Sequence, residues 1–163
     1  MSFFRPDALK TKVVVTSLSA VQQATTSYIY VSGTSINYTP HIDSTHVVYN
    51  TCFVANSYES PTTGDRNMTY HFKLMTGSAG GSLSEYGNNT DSNLKDDHNT
   101  TIIATLITLQ HEIPVWEGEK TLQIHARNNK SPAKGNLHGA PYFDGAATPT
   151  YFYPNVMIYS IIK

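Results

Sequence analysis

The sequence predicts an all-β chain, a sandwich, jelly roll or barrel built from roughly eight antiparallel strands. Apolar and polar residues alternate with a period of two along much of the chain, which is the period of a half-buried strand. Only 14% of the 163 residues are charged, and Ser, Thr, Asn and Tyr supply the polarity instead. Clusters of Gly, Pro, Asn and Asp separate the alternating runs, as short turns between strands require.

Two runs have the alternation of strands with one face in the core. In MTYHFKLM, residues 68–75, apolar side chains fall on one face, and His71 and Lys73 fall on the other. In TLQIHAR, residues 121–127, Leu, Ile and Ala alternate with polar residues in the same way. The shorter runs SYIYV and TSINY also alternate, and Gly33 between them predicts a bend or a bulge.

Three further runs are apolar on both faces, and they are HVVYNTCFVA, TIIATLITL and NVMIYSII. Strands of this kind lie in the middle of a sandwich or at a contact between subunits. The second run also fits a short helix, but its Thr and Ile favour a strand because β-branched side chains lose rotamers in a helix. We predict that the second face of these runs contacts another subunit through Tyr49, Phe53, Met157, Tyr159 and Ile161.

The chain is predicted to form one domain over residues 11–163, preceded by an extended N-terminal arm, residues 1–10. The arm contains the apolar pair Phe3 and Phe4, which either packs on another subunit or is disordered. The long polar segment of residues 76–100 is predicted to be a surface excursion with a short strand around Leu83.

Charge and cysteine content disfavour several classes of function. A net charge of −1 provides no surplus of Lys and Arg for binding nucleic acid. No window approaches the roughly 20 apolar residues of a membrane span, and the N-terminus lacks the apolar stretch of a signal peptide. We therefore expect the chain to be made in the cytoplasm. The single Cys52 excludes an intramolecular disulfide and is expected to be a buried thiol.

His111 and Glu112 resemble the start of a zinc-protease motif, which needs a second His one helical turn later. Val115 occupies that position, and Pro114 would break the helix. A strand end is therefore the better interpretation. We predict no catalytic residue, no cofactor and no metal site within one chain. A metal held by one His from each subunit on a threefold axis stays an open alternative.

The turn and strand after this segment contain the best candidates for a polar contact with a ligand or partner. Gln123, His125 and Arg127 form a stripe on the solvent-facing side of one predicted strand. Trp116 just before it either packs at the edge of the sandwich or stacks on a ligand. An alternative function is carbohydrate binding by loop residues Tyr86, Trp116, Asn128 and Tyr142. A small β-barrel enzyme is a third hypothesis.

Three segments resemble trimeric jelly rolls of the tumour-necrosis-factor and complement-subcomponent type. INYTPHIDSTHVVYNTCFVA resembles the turn that leads into their long central strand. VWEGEKTLQIHARNN resembles their tight Gly turn and penultimate strand, and YPNVMIYSIIK resembles the closing strand near the trimer axis. Short domains of this shape, rich in Asn, Thr and Tyr, are similar to bacteriophage decoration (cement) proteins and to distal domains of tail or capsid fibres.

This resemblance implies a single-domain antiparallel β-sandwich of jelly-roll type that forms a homotrimer in a virion. We expect a non-enzymatic structural protein whose partners are its own copies and the major capsid protein or the fibre and tail proteins. Phe3, Phe4 and Arg5 in the arm would anchor it to a capsid lattice. A receptor-recognition module of a fibre, which binds a glycan, is the alternative.

Overall fold

The computed structural model describes residues 11–18, 20–57, 67–95, 103–129, 135–140 and 150–162. The predicted arm, with Phe3, Phe4 and Arg5, lies outside this range. The described strands are β1 (Thr11–Val15), β2 (Gln22–Gln23), β3 (Ile29–Tyr30), β4 (Ile36–Tyr38), β5 (Ser44–Ser57), β6 (Asn67–Ser78), β7 (Ser84–Lys95), β8 (Ile103–Pro114), β9 (Lys120–Asn128), β10 (Gly135–Leu137), β11 (Gly139–Ala140), β12 (Thr150–Tyr151) and β13 (Asn155–Ile162).

The strands form two antiparallel sheets and a short β11–β12 ribbon. Sheet 1 contains β1, β13, β5 and β8 in that order, and β10 and β2 continue it beyond the end of β13. Sheet 2 contains β7, β6 and β9, with β3 and β4 paired along the far edge of β9. The chain crosses between the sheets after β2, β4, β5, β7, β8 and β9. The prediction of an all-β antiparallel sandwich of jelly-roll type is confirmed.

Strand positions agree with the alternating and the doubly apolar runs. The three doubly apolar runs lie in β5, β8 and β13, and the two half-buried runs lie in β6 and β9. The polar segment was predicted wrongly, because residues 84–95 form the long strand β7. β7 pairs antiparallel with β6 at one edge of sheet 2. An edge strand with a solvent-facing side needs few apolar residues, so its composition is that of a loop.

Aromatic side chains fill the space between the two sheets. Phe53 of β5 meets Phe72 of β6 edge to face, with ring centroids 5.5 Å apart, and Tyr70 stacks beside Phe72 at 5.9 Å. Aromatic pairs of this kind contribute about 0.5–1.5 kcal/mol beyond their buried area. Two of the buried tyrosines are paired with backbone carbonyls. Tyr49 donates its hydroxyl to the Thr34 carbonyl at 2.5 Å, and Tyr70 donates to the Asn56 carbonyl at 2.7 Å. Burial raises the pKa of both hydroxyls.

The core location of Tyr49 and Phe53 corrects their assignment to a subunit interface. Both are fully buried inside the chain itself, so another subunit cannot reach them. β5 places its odd-numbered side chains in the core and its even-numbered ones, including Val48 and Val54, on the outer face of sheet 1. Both faces are apolar, and the bulkier one fills the wide gap between the sheets.

Gly33 marks the bend between β3 and β4, as the sequence predicts. Its φ is +79°, in the left-handed region that favours glycine. A Cβ at this position would lie 2.3 Å from the Pro154 Cγ and 2.9 Å from the Thr16 Cβ. The bend therefore packs directly against the segments beside β1 and β13, and this contact excludes any side chain.

We expect Gly33→Ala to lower the free energy of unfolding by about 2–4 kcal/mol, because left-handed strain and overpacking add together. Gly118→Ala is the matched control, since Gly118 has φ +76° but no atom within 4 Å of its added Cβ. Gly118→Ala should lower the free energy of unfolding by only about 1–2 kcal/mol, which is the cost of the left-handed backbone for a residue with a Cβ. Urea unfolding of both variants measures the difference, and equal losses would contradict the packing role.

Candidate functional site

The outer face of sheet 2, here called the polar face, brings together polar and aromatic side chains from four strands and the segment before β3. Its central positions alternate with the core residues of β6 and β9. The register places His71 beside Arg127 and Asp91, and Lys73 beside His125, which in turn pairs with Tyr30. The members of the polar face are Tyr28, Tyr30, His71, Lys73, Met75, Glu85, Asp91, Gln123, His125 and Arg127.

A hydrogen bond and an ion pair connect β6 to β7 across this face. The His71 Nδ1 lies 2.6 Å from the Asp91 Oδ1, and the Lys73 ammonium donates to the Glu85 Oε2 at 3.1 Å. Partly exposed pairs of this kind contribute about 0–1 kcal/mol each to stability. Their main effect is to hold four long side chains in fixed positions above the sheet.

The Tyr28 ring holds two cations at once. The Lys73 Nζ lies 4.1 Å from the ring centroid, and the Arg127 Cζ lies 5.0 Å from it. Both distances are within the range of a cation–π interaction. Among the residues that the structure describes, the exposed Arg127 guanidinium is therefore oriented by an aromatic ring and not by a carboxylate.

His125 is a neutral hydrogen-bonding group at the centre of the face. The Gln123 Nε2 lies 2.7 Å from the His125 Nε2. An amide nitrogen only donates, so the ring nitrogen accepts and the imidazole proton is on Nδ1. Burial, and then the charge of Lys73, lower the pKa of His125. The face thus contains a neutral imidazole beside a fixed ammonium.

The predicted stripe of Gln123, His125 and Arg127 is brought together as the sequence indicates. Trp116 lies apart from it: the indole packs edge-on against Tyr38, 6.4 Å between centroids, and it belongs to the rim of the core. Sequence reasoning missed Tyr28, whose neighbours on the face come from β6 and β9. Only the pairing of those strands reveals this contact.

Of the four loop residues that were predicted to bind a carbohydrate, the three that the structure describes do not form one surface. Asn128 is buried and donates to the Ala24 carbonyl at 3.3 Å. Tyr86 and Trp116 pack against the core, and Tyr142 lies outside the described residues. The three described members are therefore structural side chains in separate places.

His111 and Glu112 point to opposite sides of β8, which agrees with the strand interpretation. His111 is half-buried, with its ring 6.4 Å from the Tyr49 ring, and burial lowers its pKa. Glu112 is exposed, 3.8 Å from the His46 Nδ1. Across the described parts of the chain, no three His, Cys, Asp or Glu side chains lie close enough to hold a metal ion.

A histidine is buried between β10 and β11. His138 has φ +69°, is fully buried, and packs edge to face with Phe53 at 5.9 Å between centroids. Its backbone N–H donates to the Val54 carbonyl at 2.7 Å, but both ring nitrogens lack hydrogen-bond partners within the described regions. Burial lowers its pKa to about 4. The imidazole is therefore neutral in the folded protein at pH 7.

The described residues define an antiparallel jelly-roll sandwich. The outer face of sheet 1 has exposed apolar side chains among polar ones, whereas the outer face of sheet 2 is polar. No family model matches the chain, and no curated protein matches it. No helix within the described ranges has the length and hydropathy needed to span a membrane.

Three solved structures are similar to this chain at low identity. Dimeric latent PorU from Porphyromonas gingivalis is 8% identical with a TM-score of 0.43, over 94% of this chain and 13% of that one. The VP2 subviral particle of infectious bursal disease virus is 11% identical with a TM-score of 0.44, over 96% of this chain and 38% of that one. Eiger TNF from S. frugiperda is 8% identical with a TM-score of 0.40, over 83% of this chain and 90% of that one. The chain thus spans less than half of the first two proteins.

His138 should make stability depend on pH. Its pKa is lowered from 6.5 to about 4 on folding, so between these values the unfolded chain binds a proton that the folded chain does not. Stability is therefore expected to fall by about 3 kcal/mol as the pH drops from 6.5 to 4. His138→Asn, which tolerates the left-handed backbone, should flatten this dependence in urea unfolding. The same pH slope in both proteins would contradict the assignment.

The charge of Lys73 should have a measurable effect on the pKa of His125. Lys73→Met is expected to raise the pKa of His125, because a neighbouring cation that disfavours protonation is removed. Lys73→Arg, which retains the charge, should leave the pKa lowered. NMR titration of the His125 ring protons measures both variants. An unchanged pKa in Lys73→Met would show that burial alone is responsible.

Proposed function

We propose that this chain is a non-enzymatic structural protein of a bacteriophage particle, a capsid decoration or fibre component that assembles as a homotrimer. The observation that carries the proposal is the outer face of sheet 1, here called the apolar face. Val13 is 60% exposed, Leu106 64% and Met157 38%. Several exposed apolar side chains on one face of a sheet are typical of surfaces that bind other protein chains.

The register shows which apolar side chains on this face are neighbours. Val13 of β1 pairs with Met157 of β13, and Tyr159 of β13 pairs with Val48 of β5. Val48 and Val54 are almost fully buried, with 3% and 5% of their surface exposed. Asn50, Gln110 and Glu112 lie on the same outer face, so its exposed apolar side chains are concentrated on β1 and β13, with Leu106 apart from them on β8. The apolar side chains of β13 on this face include the predicted interface residues Met157, Tyr159 and Ile161.

A closed ring of identical subunits is the assembly that we favour for this face. In a ring each copy covers the apolar surface of a neighbour, so no apolar surface stays exposed to which further copies could add. The resemblance of the sequence to trimeric jelly rolls supports three copies. The closing strand β13, which the resemblance places near the trimer axis, contributes three of the proposed interface residues.

The proposed location is the virion, after synthesis in the host cytoplasm, with the major capsid protein or the fibre and tail proteins as partners. Phe3, Phe4 and Arg5 remain the proposed anchor. Cryo-microscopy of intact particles distinguishes the two locations, since a decoration protein occupies regular lattice positions and a fibre domain lies at a fibre end. Absence of the chain from purified particles would contradict the proposal.

Light scattering at micromolar concentration should give three times the mass of one chain. Met157→Glu, which places a charge in the proposed interface, is expected to shift the mass towards that of one chain. The control is Ile42→Glu, because Ile42 is 92% exposed in the turn before β5 and lies outside the apolar face. A stable monomer of the unmodified chain would refute the homotrimer, and so would a dimer.

A further inference from the structure

The polar face contains one cation that no carboxylate of the described residues neutralises. Lys73 is paired with Glu85, whereas Arg127 forms no ion pair with any carboxylate in the described regions. The Tyr28 ring nevertheless holds its guanidinium in place, at 5.0 Å from the ring centroid. A guanidinium fork binds a carboxylate through two parallel hydrogen bonds. Arg127 is thus oriented in advance for a carboxylate supplied from outside the chain.

Neutral hydrogen-bonding groups lie next to this cation on the same strand face. Gln123 and His125 precede Arg127 at intervals of two residues, so all three side chains point outward from β9. Tyr30 lies beside His125, with ring centroids 6.3 Å apart. Amide, imidazole and phenol groups bind hydroxyls, and aromatic rings can pack against the apolar face of a sugar. The surroundings of Arg127 therefore suit a polyhydroxylated ring.

We propose that the polar face binds an acidic sugar, with its carboxylate on Arg127 and its hydroxyls on Gln123 and His125. The site would recognise one acidic unit of a glycan, such as a uronic or a sialic acid. This site replaces the separate loop residues that the sequence suggested for glycan binding.

Charge and backbone geometry favour an acidic sugar over other anionic partners. Nucleic acid needs a row of cations along its phosphates, and the face has a single unpaired one in a chain of net charge −1. An extended peptide is usually bound by adding a strand to a sheet edge. Here β6 pairs with β7 and β9, and β9 pairs with β3 and β4, so the backbone under the site is already hydrogen-bonded.

The site also remains accessible in the proposed assembly. It lies on sheet 2, on the side of the sandwich opposite the apolar face of sheet 1. Self-association through sheet 1 therefore leaves Arg127 open to solvent. Sugar binding and trimer formation are separate properties, and each can fail without the other.

NMR titration of the ¹⁵N-labelled full chain tests the proposal. The probes are methyl glucuronide, methyl galacturonide and N-acetylneuraminic acid, with methyl glucoside and methyl galactoside as matched neutral sugars. At least one acidic sugar should shift the amide signals of β9 around Arg127, with a dissociation constant about tenfold or more below those of the neutral sugars. An acidic tripeptide and inorganic phosphate test the other classes of anion.

Variants of two residues separate a carboxylate site from general attraction of anions. Arg127→Gln should remove the shifts, and Arg127→Lys should weaken binding because an ammonium lacks the fork. Tyr28→Phe retains the ring and should bind like the unmodified chain, whereas Tyr28→Leu should weaken binding. Lys12→Gln removes a cation from β1 and should have no effect. Thermal unfolding of each variant verifies that the fold is retained.

Three results would overturn the proposal. The first is equal binding of neutral and acidic sugars, and the second is a response of β9 to the peptide or to phosphate but to none of the acidic sugars. The third is the absence of shifts around Arg127 with all of the sugars. Light scattering of the same samples reports the oligomeric state, so a failure of the sugar site is distinguishable from a failure of the proposed homotrimer.

Discussion

The edge-to-face contact between Phe53 and Phe72 joins the two sheets, and the orientation of the surrounding strands depends on it. Side chains alternate across a strand, so fixing one residue in the core fixes the direction of its neighbours. With Phe53 inside, Val48 and Val54 of β5 must face outward. With Phe72 inside, His71 and Lys73 of β6 must face outward. The apolar face and the polar face are therefore two consequences of one packing arrangement.

The strands themselves were largely predictable from the sequence, because the hydrophobic period is a local property. β13 has the bounds of the run NVMIYSII, and Gly33 has the positive φ that a bend between two short strands requires. The inward face of β5 was not predictable by the same means. Both of its faces are apolar, so periodicity gives no direction, and the volume of Tyr49 and Phe53 decides which face fills the core.

The polar face was predictable only in part, since it combines residues that are distant in sequence. The stripe on β9 follows from alternation within one strand. Its contact with Lys73 and Tyr28 depends on the pairing of β9 with β6 and on the position of the segment before β3. Strand pairing is a property of the whole topology, and period-two alternation within one strand contains no information about partners.

Lys73 connects the parts of the polar face, because it bonds to Glu85, lies over Tyr28 and lowers the pKa of His125. Each of these interactions is weak at a surface, and together they hold the groups around Arg127 in one arrangement. A preorganised site loses less entropy on binding, but a single sugar unit still makes few contacts. In the proposed homotrimer three such faces point away from the shared interface. Linked weak sites bind a multivalent glycan surface far more tightly than one site does, provided that their spacing allows simultaneous contact. Trimer formation through sheet 1 would thus strengthen sugar binding on sheet 2 without any contact between the two faces.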